Sequence, residues 1–417
     1  MKKIILLFIV SSSILGTYAQ QDTARVVGYL PSYRFTLSSQ IEYCKLTHLN
    51  LSFANPKANG ILTMSGNVNN VMTDARSQNP NIKIYISLAG GAVSSSSPKG
   101  IIWSNLIDTP ANRPDFIHKI IQYVNMNQFD GVDIDLEWSA VTSGYSGFVT
   151  ELKDSLDKYD KGITAALPNT RFSNINQEAL NAFDFINIMA YDATGSWAPS
   201  NFGQHSSYNY ALSGINLWQN SNNNIPKERL TLGIPFYGYN FISPTSTSSF
   251  TFAEIVSLDT NNAKLNQVSK MYYNGIPLIQ SKVELAKLKT SGIMIWEIGQ
   301  DSFDKYSLLS AIHDRYTILN VHTTGLCGNY PVGLYEKENS LSNQIYPNPA
   351  TNEFMIFLPQ SGDVSVQITN TIGQNISIKS TQNTNQLIYN TATLPRGVYI
   401  INVTQNEKHA SHKLILN

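Results

Sequence analysis

The run Phe129-Asp130-Gly131-Val132-Asp133-Ile134-Asp135-Leu136-Glu137-Trp138 decides how the rest of the chain is read. Side chains alternate faces along a strand, so Asp133, Asp135 and Glu137 point one way and Val132, Ile134 and Leu136 the other. Three carboxylates on one face repel each other and lose hydration when buried, so an ordinary core does not carry them. A solvated strand face would tolerate them, but the opposite row is too apolar for that. A Ca²⁺ site draws its ligands mainly from loops that wrap the ion. Catalysis by carboxyl groups fits this strand best.

Working outward, seven further β-rich segments fall at 25–30, 48–54, 83–88, 162–167, 185–191, 230–237 and 293–297, with the acidic strand at 131–137. Amphipathic helical stretches lie between them, clearest at 114–126, 147–159, 281–289 and 303–316. Ser281 and Glu284 have capping-box spacing and place a helix start at 281. Eight strands, each followed by a helix, predict a (β/α)₈ barrel. Periodicity alone also admits a doubly wound open sheet. In a barrel the apolar row faces the helices and the acids face the interior. Only Glu137 then lies at the C-terminal strand end, where barrel active sites sit.

The ends of the chain read differently. Lys2 and Lys3 precede an apolar run, and Thr17-Tyr18-Ala19 supplies a small-x-small cleavage pattern, so 1–19 reads as a secretory signal peptide. The run is too short for the ~20 apolar residues of a bilayer span, and no stable membrane insertion is expected. The barrel is expected over 20–319, and 320–343, with glycines 325, 328 and 333, reads as a linker. Short alternating strands over 344–417 predict a small β-sandwich. The 29 Lys+Arg balance 29 Asp+Glu across 417 residues, which argues against a nucleic-acid partner. Charged residues are only 14%, so uncharged polar groups and 22 tyrosines make up much of the polar surface, as suits neutral ligands. Neither His205 nor the other histidines have metal-ligand spacing, so no metal and no cofactor are expected.

The acidic strand resembles the D-G-x-D-x-D-x-E signature of family 18 glycoside hydrolases, the chitinases and endo-β-N-acetylglucosaminidases. Other segments match in order over roughly residues 24–317. Ser87-Leu88-Ala89-Gly90-Gly91 resembles the family's third-strand Ser…Gly-Gly motif, with one extra residue before the glycines. Met189-Ala190-Tyr191-Asp192 matches M-x-Y-D of the sixth strand, followed by Gly195-Ser196-Trp197. Gly233 to Gly238 resembles strand seven, and Gly292 to Trp296 resembles strand eight.

The resemblance implies a retaining, substrate-assisted mechanism with no carboxylate nucleophile. Glu137 protonates the glycosidic oxygen while the sugar's own 2-acetamido oxygen attacks the anomeric carbon, giving an oxazolinium ion. Asp135 orients the acetamido N–H, and Asp133 shares a proton with Asp135. Tyr191 donates to the acetamido oxygen and Asp192 lines the same subsite. Trp296 forms the apolar floor beneath the sugar, with Met189 packed under the site. Tyr29, Phe53, Trp138, Trp197 and Tyr237 are further candidates for sugar contact.

Three departures from the family pattern stand out. Only about 50 residues separate Tyr239 from Gly292, which predicts no full α+β insertion there, a shallow groove and endo cleavage. Tyr239 stands where the family often has Arg, removing one substrate contact. Ser139 follows Trp138 in place of a frequent Pro.

The tail resembles a second family. Ile345-Tyr346-Pro347-Asn348-Pro349, Leu394-Pro395-Arg396-Gly397-Val398-Tyr399 and the closing Lys413-Leu414-Ile415-Leu416 look like a type A sorting domain. That implies type IX secretion machinery as a partner and release outside the cell, or onto its surface, after passage through the periplasm. A carbohydrate-binding sandwich is the alternative, but the tail has no tryptophan. The two cysteines, Cys44 and Cys327, fall at the barrel's N-terminal face, and export permits a bond between them. The expected protein is a monomeric secreted chitinase. The alternatives are an endo-β-N-acetylglucosaminidase acting on N-glycan cores and a catalytically silent chitin-binding lectin.

Overall fold

The computed structural model describes residues 23–323, 344–358, 363–370, 374–383, 386–405 and 408–417. The expected signal peptide, most of the linker and Cys327 lie outside them; Cys44 is not a free thiol. The chain divides into two compact units at 328/329.

The first unit is built on eight parallel strands: β1 (Arg25–Pro31), β2 (His48–Pro56), β3 (Lys83–Ala89), β4 (Gly131–Asp135), β5 (Gly162–Pro168), β6 (Phe185–Met189), β7 (Leu230–Pro235) and β8 (Gly292–Trp296). Each pairs with the next in chain order, and β8 and β2 both pair with β1. That closure makes a (β/α)₈ barrel and excludes the open sheet. The first connection carries only two 3₁₀ stretches, Ser32–Gln40 and Tyr43–Lys45, and helices follow the other strands. Val132, Ile134 and Leu136 are buried against the helical layer. The opposite row faces an unusually polar interior in which Asn50, Ser52, Ser87, Asp133, Thr164, Asn187 and Thr231 are all 0–2% exposed.

Strands β4, β6 and β7 end earlier than periodicity suggests, at Asp135, Met189 and Pro235. Beyond these points the chain leaves the barrel ladder, while Leu136, Ala190 and Phe236 stay buried.

Two helix starts also differ. The helix predicted at 281 begins at Ile276, with Pro277 in its first turn and Gly275 as N-cap, because proline's fixed φ pre-forms a helix start. Ser281 lies in its interior and donates to Pro277 O at 3.0 Å, and Glu284 pairs with Arg315. The capping box is instead Thr251 with Glu254, at the start of the helix Phe252–Leu258. The last barrel helix, Leu308–Ile318, starts five residues later than predicted. The buried Asp301 accepts from the N–H groups of Leu308 (2.7 Å) and Leu309 (3.0 Å) and fixes that start.

The segment between β7 and Ile276 is richer than expected. Strands Ser246–Thr251, Tyr237–Ser243, Met271–Tyr272 and Gln267–Val268 form, in that order, a four-stranded antiparallel sheet beside the helix Phe252–Leu258. A compact α+β element therefore stands in the roughly 50 residues whose length predicted no full insertion.

Among the described residues, the second unit has two four-stranded antiparallel sheets over a core that includes Phe354, Ile356, Tyr389, Ile401, Val403 and Leu414. Phe354 and Tyr389 stack with centroids 5.0 Å apart.

Candidate active site

A cavity of about 560 Å³ opens at the C-terminal strand ends, lined by Tyr29, Gly91, Asp135, Glu137, Trp138, Met189, Tyr191, Asp192 and Trp296, with Trp197 and Tyr210 on its rim. A second cavity of about 540 Å³ lies at the opposite barrel face, around Arg25, His48 and Ser291. It has no paired acids, whereas the first holds Asp135, Glu137 and Asp192.

The acids Asp133 and Asp135 of β4 and Glu137 just beyond it differ in depth. Asp133 is fully buried and accepts from Tyr29 Oη (2.7 Å), Ser87 Oγ (2.7 Å), Thr164 Oγ1 (2.6 Å) and Asn187 Nδ2 (3.4 Å). Ser87 and Thr164 flank it in register on β3 and β5. Burial raises its pKa, and these four hydrogen bonds oppose that rise. Both of its oxygens thus accept from neighbouring strands.

Asp135 is 3% exposed and its Oδ1 has no partner among the described residues. Burial, then the charges of Glu137 and Asp133, push its pKa well above the usual carboxylate range. Glu137 lies two residues on, in extended conformation (φ −117°, ψ 155°), which keeps it on the same face. Burial first and the Asp192 carboxylate second push its pKa up to about 7, the range of a general acid working near neutrality.

The glycines after β3 make room for this group. A Cβ on Gly91 would stand 2.8 Å from Glu137 Oε1, and one on Gly90 would stand 2.5 Å from the Phe53 ring. Trp138 (φ 48°) and Asp192 (φ 61°) hold left-handed backbone conformations that bulky or branched residues rarely adopt, at a cost of about 1–3 kcal/mol each. The kink turns Trp138 outward to 57% exposure, where it meets Phe172 edge-on.

Trp296 lies against the Phe53 ring (centroids 5.5 Å, 22°) and edge-on to Tyr29 (5.6 Å). Phe53 thus supports Trp296 from outside the cavity lining. Tyr191 is buried beside Met294, and its pKa is raised well above 10, mainly by burial, so the phenol keeps its proton as a donor. Met189 lines the cavity floor. Tyr237 also stays outside the lining; its hydroxyl donates to Asp192 Oδ1 at 2.5 Å.

Two residues near Asp192 were not foreseen. Tyr239 Oη donates to the same Asp192 oxygen at 3.1 Å, so this tyrosine orients an acid. His205, fully buried, approaches that oxygen with Nδ1 at 3.3 Å, with Nε2 3.3 Å from Tyr237 O. No local motif marks His205, and only the fold brings it to Asp192. Tyr210, on the helix Tyr208–Gln219, is a third addition to the rim.

The family model for glycosyl hydrolases family 18 matches residues 25–301, and that for the secretion system C-terminal sorting domain matches 344–417. The crystal structure of a GH18 chitinase from the chitin utilization locus of Flavobacterium johnsoniae is 55% identical, with a TM-score of 0.72, over 74% of this chain and 98% of that one. A chitinase structure from Bacteroides thetaiotaomicron is 27% identical, with a TM-score of 0.61, over 70% and 96% of the two chains. An endochitinase of Manduca sexta is 26% identical over 211 residues, 44% of this chain but only 37% of that longer relative.

Proposed function

The chain belongs to glycosyl hydrolases family 18, and from that premise we propose that it is a secreted endo-chitinase cleaving β-1,4 N-acetylglucosamine linkages by a substrate-assisted, retaining route. It is a glycoside hydrolase of the chitinase type. Its C-terminal sorting domain marks it for secretion to the extracellular space or cell surface.

The observation that carries the mechanism is the placement of two acids in one cavity, Glu137 two residues beyond the buried Asp135 on the same face. Glu137, protonated near neutral pH, gives its proton to the glycosidic oxygen. Asp135 receives the acetamido N–H as its own proton turns toward Asp133, so negative charge accumulates beside the forming oxazolinium. Tyr191 donates to the acetamido oxygen and holds it in line with the anomeric carbon. Trp296 supplies a flat apolar face for the pyranose, and Asp192 lines the same subsite. Water then opens the ring with Glu137 as base, giving a β-anomeric product. Periplasmic passage on the type IX route precedes release.

Product analysis on chitin oligomers, fully deacetylated chitosan and a high-mannose glycoprotein tests this. Chitin oligomers should be cut internally to β-anomers, and chitosan without acetyl groups should resist. Rapid chitosan hydrolysis would require a nucleophile from the protein and refute the assignment. Cleavage of the glycoprotein alone would make the enzyme an endo-β-N-acetylglucosaminidase, and binding without turnover would make it a lectin.

A further inference from the structure

We infer that Lys282 is a positioning residue for Asp192, acting through the segment 204–206. Lys282 lies on the helix Ile276–Lys289, lines no part of the catalytic cavity and is fully buried. Its Nζ lies 2.7 Å from each of three oxygens: Ser206 O, Ser206 Oγ and Asn274 Oδ1. Ser206 Oγ spends its own hydrogen on Ala190 O (2.7 Å), so all three partners act as acceptors. An ammonium has three N–H donors to match them, whereas a neutral amine has two. Burial pulls the lysine down to about 7, and this cage of acceptors favours its charged form.

What the lysine fastens is the turn that carries the site. Ala190 O accepts from Ser206 Oγ, Asp192 N–H lies 3.4 Å from His205 Nδ1, and Ala193 N–H donates to His205 O at 3.0 Å. Three of the four residues 190–193 are thus held by 205–206. That segment is held in turn by Lys282, by Asn274 Nδ2 on Ser206 O (3.0 Å) and by Gln204 Nε2 on Tyr273 O (2.6 Å). Tyr237, Tyr239 and His205 face Asp192 directly, with Tyr210 nearby, and Asp192 contributes to the raised proton affinity of Glu137. Loosening the fastener displaces Asp192 and lowers the pH at which Glu137 loses its proton.

This inference rests on Glu137 being the proton donor. The test uses the full chain with Lys282→Met and, as a milder lesion that keeps the lysine, Ser206→Ala. For each, kcat and KM on chitin oligomers are measured against pH, alone and with Asp192→Asn. Misplacement of the site predicts a kcat loss of about 10-fold or more and a high-pH limb of kcat moved down by roughly half to one unit. Little further change is expected on the Asp192→Asn background. A lowered Tm with kcat and its pH profile unmoved would make Lys282 merely structural and overturn the inference, as would losses that add in full to Asp192→Asn. If Lys282→Met does not fold, Ser206→Ala decides by the same criteria. If Glu137→Gln keeps wild-type turnover, the parent reading falls and takes this one with it.

Discussion

Gly91 stands so close to Glu137 that a Cβ on the glycine would come within 2.8 Å of Glu137 Oε1. The missing side chain therefore belongs to the acid's binding pocket. Gly91→Ala should displace the carboxyl group by a few tenths of an ångström or force it into another rotamer. We expect kcat to fall about 10- to 100-fold with Tm nearly unchanged, since small misplacements of a reacting group are costly. Unchanged turnover in Gly91→Ala would mean that Glu137 swings freely in use.

Glu137→Gln keeps the size of the side chain and removes its proton. Turnover should fall by at least about 10²–10⁴-fold, while calorimetry should still detect oligosaccharide binding. Asp135→Asn should also reduce turnover, through loss of charge stabilisation next to the acetamido group, and should leave KM less affected than kcat.

With Glu137 as the proton donor, its pKa, raised to about 7, should set the high-pH limb of activity. Activity should decline as pH rises through that value. Asp192→Asn removes the nearby charge that helps hold the proton on Glu137, so the limb should move to lower pH. A limb that stays in place would assign it to another group.

The same shift has a stability consequence. A carboxyl group whose folded pKa exceeds its unfolded value binds extra protons in the native state, so its contribution is fully present below about 4.5 and is lost as pH rises toward 7. Asp135 acts in the same direction. Glu137→Gln should therefore raise Tm at pH 8, by a stability gain on the order of 2 kcal/mol, and give no gain at pH 4. Denaturation at the two pH values checks this.

Removal of the tail tests the division of labour. A chain ending near Tyr335 should hydrolyse soluble chitin oligomers at the full rate, because every cavity-lining residue precedes it. In the native host the same truncation should leave the enzyme in the periplasm. A large loss of activity after clean truncation would place part of the groove in the second unit.

The alternation in 129–138 made both the barrel and its acids legible, because a period of two sorts Asp133, Asp135 and Glu137 from their apolar neighbours without help from the rest of the chain. Other parts of the site depend on contacts between residues remote in sequence. Tyr29 reaches Asp133 across 104 positions, and His205 meets Asp192 only because a loop returns to β6. Tyr239 read as a lost substrate contact because a motif compares residue types, whereas the structure shows its hydroxyl orienting Asp192. The Ser281–Glu284 spacing failed for a local reason: Pro277, four residues earlier, already starts the helix.

The four donors around Asp133 come from four different strands, β1, β3, β5 and β6. A one-residue slip of any of these strands would turn its donor out of the barrel and put an apolar side chain in its place. A misregistered chain would then carry a buried carboxylate short of a partner, a defect costing several kcal/mol. The central acid thus acts as an internal check on assembly, and a barrel that closes in the wrong register is penalised before it ever meets a sugar.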